Sequence, residues 1–161
     1  MSTTHNNAVA SLTSKAITTN LAISMLRNIK LVQLHKFIDM RGKTEYKVGD
    51  ELTIELSIIN GNYSIEDIEV EDTIPIFFQL QDIKIQSSAR KIPIRIEKSR
   101  FRILIKIEKL LPKEQVRIKY TIIPLFPGKH LIPSAACYSN GIVIGASEPL
   151  TIHVSRKEDI S

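Results

Sequence analysis

The side chains that most often carry chemistry, histidine and cysteine, are few and scattered in this sequence of 161 residues. None of the four histidines lies beside a cysteine or in a metal-binding spacing such as H-E-x-x-H, so a metal site would need assembly from distant strands. The single cysteine, Cys137, follows two alanines in a predicted strand, which favours a buried, inert thiol over a nucleophile. No phosphate loop or nucleophile elbow is present. The sequence therefore predicts no enzyme activity, no metal and no cofactor.

One carboxylate stands in a motif-like position, because Asp72 precedes Pro75 at the end of a predicted strand. Proline lacks the backbone donor that sheet pairing needs, so Pro75 is expected to end the strand. Asp72 is open to two interpretations, a ligand or a carboxylate that stabilises the local turn. Turn stabilisation is the favoured interpretation.

Charge is partitioned along the chain, and the net charge of +5 conceals this. Ten acids and one base lie between Glu45 and Asp82, whereas twelve bases and three acids lie between Lys84 and Lys119. Where isoleucines alternate inward, the residues between them must point outward. If the strands concerned are neighbours, they form one basic face from Arg95, Arg100, Arg102, Lys106, Arg117 and Lys119. A candidate acidic face consists of Glu66, Asp67, Glu69 and Glu71.

A basic face of this kind can hold an acidic protein surface, nucleic-acid phosphates or anionic lipid head groups. The alternative interpretation is that the charges only solubilise the sheet and protect its edges. Stacking aromatics are missing from the face, which disfavours single-stranded nucleic acid. Opposed acidic and basic faces would also permit head-to-tail self-association. We expect a protein partner or a second copy first, nucleic acid or an anionic membrane second, and no small-molecule substrate.

Two-residue periodicity, which is typical of half-buried strands, extends from about residue 28 to residue 154. The alternation is clearest over Leu52–Ile58 and Phe101–Ile107. Two final strands are expected at His130–Tyr138 and Ile142–Val154. Turns are predicted at Val48-Gly49-Asp50, Asn60-Gly61-Asn62, Glu97–Arg100, Leu111–Glu114 and Ser139-Asn140-Gly141. About seven to eight strands with no intervening helix predict an all-β, immunoglobulin-like antiparallel β-sandwich.

The terminal segments and the composition lead to expectations about flexibility and cellular location. Residues 1–27 are rich in Ser, Thr and Asn and are predicted to form a flexible tail or a short helix, and residues 155–161 a flexible tail. One cysteine permits no intramolecular disulfide, and no apolar run has the length of a membrane span or the form of a secretory signal. We therefore expect a cytoplasmic protein. A cell-surface or membrane-associated location is the alternative if the sequence is a fragment or a partner anchors it.

An ordered series of short motifs extends from Tyr46 to Pro127. It comprises Val48-Gly49-Asp50, the strand from Leu52 to Gly61, the segment Val70-Glu71-Asp72-Thr73-Ile74-Pro75, and Leu111-Pro112 followed by Tyr120. This order resembles the prokaryotic immunoglobulin-like repeat domains found in surface and membrane-linked proteins of archaea and bacteria. The segment from Pro127 onward is also similar to the end of the luminal domain of the translocon-associated protein beta subunit. The resemblance implies adhesion, scaffolding or assembly without chemistry, and thus a non-enzymatic protein-interaction module.

Overall fold

The computed structural model describes residues 31–40, 42–43, 45–86 and 91–158. Across these residues the chain forms twelve strands and no helix. The strands make two large sheets and one small sheet. The predicted all-β antiparallel sandwich is confirmed, whereas the predicted N-terminal tail or short helix lies outside the described residues.

The first large sheet has four antiparallel strands, in the order β1 (Val32–Asp39), β3 (Leu52–Asn60), β8 (Gln115–Pro124) and β5 (Phe78–Gln86). The second has five, in the order β11 (Ile142–Ala146), β10 (Ala136–Ser139), β4 (Ile65–Thr73), β7 (Arg102–Leu110) and β6 (Ile94–Lys98). The small sheet consists of β2 (Tyr46–Lys47), β12 (Leu150–Ser155) and β9 (Gly128–Ile132). Among the described strands, β2 and β12 form the one parallel pair.

The core follows directly from the alternation of isoleucines. In β7, Ile103, Ile105 and Ile107 are buried, while Arg102 and Lys106 point the other way. Strand β8 buries its alternate residues in the same manner. The two strands belong to different sheets, and their buried side chains join one core cluster. Burial of apolar surface on this scale is the main stabilising contribution to such a domain.

The turn predicted at Leu111–Glu114 connects the two large sheets. Lys113 has a left-handed φ of 64°, and the Leu111 amide donates to Glu114 Oε1 over 2.6 Å. Strand β7 precedes this turn in the five-stranded sheet, and β8 follows it in the four-stranded sheet. Consecutive strands with the same alternation therefore lie on opposite sides of the core.

The strand prediction is wrong in two places. Strand β5 was not expected, and its alternation is interrupted by a bulge between Leu80 and Asp82. The two final predicted strands are each divided, near Pro133 and near Pro149, because proline cannot donate to a sheet. Their halves pair in different sheets. Ser147 secures the two breaks to each other, since its amide donates to the Ala135 carbonyl and its hydroxyl accepts from the Ala135 amide.

Two glycines have definite roles near these strands. Asn140 and Gly141 have φ values of 49° and 76°, which is the left-handed geometry of a tight hairpin, and the turn predicted there is confirmed. Gly145 instead permits a close approach of strands. A Cβ atom at Gly145 would lie 2.5 Å from the carbonyl oxygen of Val32 in β1.

Candidate functional site

The six predicted basic residues do not share one face. Arg95 and the pair Arg102 and Lys106 lie on β6 and β7 of the five-stranded sheet, and Arg100 lies in the turn between those strands. Arg117 and Lys119 lie on β8 of the four-stranded sheet. The single basic face required neighbouring strands, and the Leu111–Glu114 turn prevents this by moving the chain to the other sheet.

The four predicted acidic residues, Glu66, Asp67, Glu69 and Glu71, all lie on β4, directly beside the basic strand β7. Glu66 is 3.7 Å from Lys109 Nζ, and Glu71 is 3.7 Å from an Arg102 guanidinium nitrogen. The prediction of separate acidic and basic surfaces is therefore wrong. The segments that differ in charge along the sequence are adjacent strands of one sheet.

The outer face of the five-stranded sheet, which we call the mixed-charge face, has an ordered arrangement of side chains. The strand register aligns one row across all five strands: Val143, Tyr138, Glu69, Lys106 and Arg95. From β11 to β6, the side chains of this row change from uncharged to acidic to basic. Among the described residues, Glu69 and Arg95 form no ion pair, and Lys106 Nζ lies 3.3 Å from a carboxylate oxygen of Glu97. The face therefore presents unneutralised charges of both signs.

A shallow groove of about 490 Å³ opens on the mixed-charge face. Glu69 and Asp67 line it on the β4 side, and Arg95 and Lys106 line it on the side of β6 and β7. The structure thus brings two acidic and two basic candidates to one open site. Such a site suits a polar protein surface better than a small molecule, because small-molecule pockets enclose most of their ligand.

On the outer face of the four-stranded sheet, the basic side chains form ion pairs with carboxylates of the same domain. Glu55 of β3 is only 8% exposed and lies between Arg117 and Lys119, at 3.8 and 3.5 Å. Lys119 Nζ is also 3.8 Å from Asp39. The cations of this face already have carboxylate partners within the domain.

A polar cluster inside the core was missed by sequence reasoning. Lys36 of β1 and Asp72 of β4 have fully buried side chains, and Lys36 Nζ donates to Asp72 Oδ1 over 2.7 Å. The Tyr120 hydroxyl of β8 donates to Asp72 Oδ2 over 2.5 Å, and Lys36 Nζ also donates to the Pro133 carbonyl over 2.8 Å. We call Lys36, Asp72 and Tyr120 the core triad.

The core triad corrects the interpretation of Asp72, which does not stabilise a turn. Its side chain points inward with those of Ile68 and Val70 and links the two large sheets. Burial lowers the pKa of Lys36, although the neighbouring carboxylate of Asp72 opposes this effect. Burial, followed by the charge of Asp72, raises the pKa of Tyr120 well above its usual value.

Cys137 lies on β10 with its side chain in the core, so its predicted burial is confirmed. Burial raises the pKa of the Cys137 thiol to about 12. Within the part of the chain that the structure describes, no three His, Cys, Asp or Glu side chains are grouped as metal ligands. The same residues include no helix with the length and apolar character to cross a membrane.

The state of Cys137 leads to a measurable expectation. In the folded protein at pH 8, we expect its modification by a thiol reagent to be at least about 100-fold slower than in denaturant. Because the folded thiol keeps its proton, its contribution to stability is complete below pH 9 and declines as the pH rises towards 12. The rate of reaction with the thiol reagent measures the first effect. Denaturant titrations at a series of pH values from 8 towards 12 measure the second. A C137S/S99C variant, with a thiol in the exposed β6–β7 turn, is the control and should react rapidly; an equal rate for native Cys137 would contradict the expectation.

The architecture is similar to that of several solved structures. The non-cellulosomal cohesin from the archaeon Archaeoglobus fulgidus matches with a TM-score of 0.52 and 11% identity, over 76% of this chain and 90% of that one. The collagen-binding domain from a Staphylococcus aureus adhesin matches with 0.52 and 14%, over 74% and 96%.

The full-length major pilin SpaD from Corynebacterium diphtheriae matches with a TM-score of 0.60 and 6% identity, over 76% of this chain and 34% of the pilin. No protein-family model matches the sequence, and the comparison with curated proteins gives no match. At these identities the similarity establishes the fold. The chain is a β-sandwich with the fold of cohesin, pilin and adhesin domains.

Proposed function

We propose that this protein is a non-enzymatic assembly module that binds protein through its mixed-charge face, a second copy being the simplest partner. The observation that carries the proposal is the row in which Glu69 lies directly beside Lys106, with Arg95 on the far side of Lys106. The fold agrees with this role, since its structural neighbours include an adhesin domain named for binding collagen and a major pilin. The resemblance to prokaryotic immunoglobulin-like repeats implies the same class of function.

The mixed-charge face is self-complementary by symmetry. A two-fold axis through the β4–β7 boundary would place the acids of one copy over the bases of the other. We therefore propose that two copies associate face to face, and not in the head-to-tail arrangement that the sequence suggested. Charge complementarity of this kind guides association and sets its register more than it adds affinity.

The predicted binding of nucleic acid or an anionic membrane required one continuous basic face. The six cations are divided between two outer surfaces, and those of β7 adjoin an acidic strand. A polyanion would meet Glu69 and Glu71 beside every contact with Arg102 or Lys106. We therefore make no proposal of nucleic-acid or membrane binding.

A charge-swap experiment tests the proposed assembly. The variant R95E/K106E makes the mixed-charge face acidic, and E69K/E71K makes it basic. Each variant alone should be monomeric in sedimentation velocity, whereas an equimolar mixture should form heterodimers. Wild-type association should weaken as salt rises from about 0.05 to 0.5 M, because the contacts are exposed and screened.

The matched control is K84E/K129E, which changes the same amount of charge at exposed positions on β5 and β9, outside the mixed-charge face, and should associate like the wild type. A wild-type chain that stays monomeric at every salt concentration, together with a mixture that does not pair, would contradict the proposal. In that case the charges serve to solubilise the sheet.

A further inference from the structure

The end of the sandwich at which β5 begins has a groove and, next to it, a patch of exposed apolar side chains. We propose that this groove binds an acidic segment of a partner protein, with an apolar side chain of the segment in the groove and its carboxylates at the cations of the groove. This inference goes beyond the proposed assembly function and does not depend on it, because the groove and the mixed-charge face share no lining residue.

The groove has a volume of about 560 Å³ and lies between the edge strands of the two large sheets. Phe78 and Leu80 of β5, together with Leu125, form its apolar lining. Lys98 at the end of β6 and Arg100 in the following turn form its charged lining. Among the described residues that line the groove, none is acidic. The groove therefore suits a ligand that combines an apolar group with negative charge.

The two cations of the groove are available to a ligand. Lys98 has the same strand alternation as Ile94 and Ile96, so its side chain points away from the mixed-charge face. The guanidinium carbon of Arg100 lies 5.2 Å from the centre of the Phe101 ring, a contact that orients the cation without neutralising it. Within the described part of the chain, neither Lys98 nor Arg100 forms an ion pair. A ligand carboxylate would thus meet two unpaired donors, which form strong charge-assisted hydrogen bonds.

The apolar surface continues beyond the groove across this end of the sandwich. Phe77 and Phe126 pack edge to face with ring centres 5.5 Å apart, yet they are 45% and 54% exposed. Ile76 is 61% exposed, and we call these three side chains the end patch. The amide of Leu125 donates to the Phe77 carbonyl over 2.8 Å, so the end patch adjoins the groove. Large apolar side chains that are exposed together are typical of a binding surface.

The chemistry of this end distinguishes between possible ligands. A small molecule is disfavoured, because the groove is open and would leave much of it in water. Residues 1–30 of the chain contain no Asp or Glu, so they cannot supply carboxylates to Lys98 and Arg100. A lipid surface would cover the end patch but has no side chain to enter the groove. An acidic protein segment with two apolar side chains can fill the groove, cover the end patch and pair with both cations.

Binding of labelled peptides to the purified full-length chain tests the inference. Two pools of short fluorescein-labelled peptides have phenylalanine and leucine at their centres. Randomised aspartate and glutamate flank these residues in the acidic pool, and lysine and arginine flank them in the basic pool. Fluorescence anisotropy should show binding of the acidic pool and not of the basic pool. An acidic pool that does not bind, or that binds no more tightly than the basic pool, would overturn the inference.

A charge-reversal variant identifies the site. K98E/R100E makes the groove acidic and should weaken binding of the acidic pool by at least about 10-fold. K84E/K157E is the matched control, since it changes the same amount of charge at exposed positions outside the groove and should bind like the wild type. Circular dichroism confirms that each variant is folded. Equal binding of the acidic pool by the wild type and K98E/R100E would contradict the assignment to this groove.

A second variant and a second surface test the part of the end patch. F77S/F126S removes both exposed rings and should also weaken binding of the acidic pool, because less apolar surface is covered. Sedimentation with vesicles of phosphatidylcholine and phosphatidylserine tests the lipid alternative. A wild-type chain that sediments with these vesicles and binds neither peptide pool would overturn the inference and assign the end patch to a lipid surface.

Discussion

Replacing Asp72 with alanine is expected to lower the free energy of unfolding by about 3–5 kcal/mol, because it leaves the Lys36 amino group in the core without its carboxylate. The Tyr120 hydroxyl loses its acceptor in the same variant. Both side chains are enclosed by the two sheets, so water cannot easily replace the missing partner. Denaturant titration followed by circular dichroism measures the change.

A volume-matched apolar replacement gives the control for this prediction. The triple variant K36M/D72L/Y120F removes all three polar groups together and leaves none unpaired. It should be clearly more stable than D72A, since well-packed apolar residues often replace a buried ion pair without loss. A single D72A substitution that costs less than about 1 kcal/mol would show that the core triad is not desolvated as the structure indicates.

Replacing Gly145 with alanine is expected to cost about 1–3 kcal/mol, because the new methyl group would lie 2.5 Å from the Val32 carbonyl oxygen. The obstacle is backbone, so no side-chain rotation can relieve it. Strands β1 and β11 belong to different sheets and must separate to accommodate the methyl group. Thermal and denaturant unfolding of the variant measure this cost.

Val143→Ala is the matched control for G145A, since Val143 lies on the same strand but is 42% exposed. Its effect should stay within about 0.5 kcal/mol. An equally small effect of G145A would mean that β1 and β11 are not in close contact.

The alternation of side chains could be predicted from the sequence because it depends only on the period of a strand. Ile103, Ile105 and Ile107 are buried as expected, and the Asn140-Gly141 turn forms as its chemistry requires. The choice of sheet could not be predicted in this way. The same alternation suits either sheet, so nothing local distinguished a β7–β8 hairpin from a crossing between sheets at Leu111–Glu114. The separation of Arg117 and Lys119 from the other four candidate bases follows from that crossing.

The core triad does have a signal in the amino-acid sequence. Lys36 occupies the same alternation as Val32 and Leu34, and Asp72 occupies that of Ile68 and Val70. A charged residue at an inward position of a strand is costly unless it has a partner. Two such residues of opposite sign, in different strands of one sandwich, therefore indicate a buried pair from the strand alternation alone.

The pairing order of the strands also bears on how the chain folds. Consecutive strands pair directly in only two of the described cases, β6 with β7 and β10 with β11. The central pair, β3 with β8, joins Leu52 to Ile122 across more than half of the described sequence. Loops of this length must close before their contacts contribute, so domains dominated by such pairings fold in milliseconds to seconds. Synthesis on the ribosome delivers β3 long before β8 and leaves its isoleucine-rich edge unpaired in the interval. The nascent chain is therefore exposed to aggregation until most of it has been made.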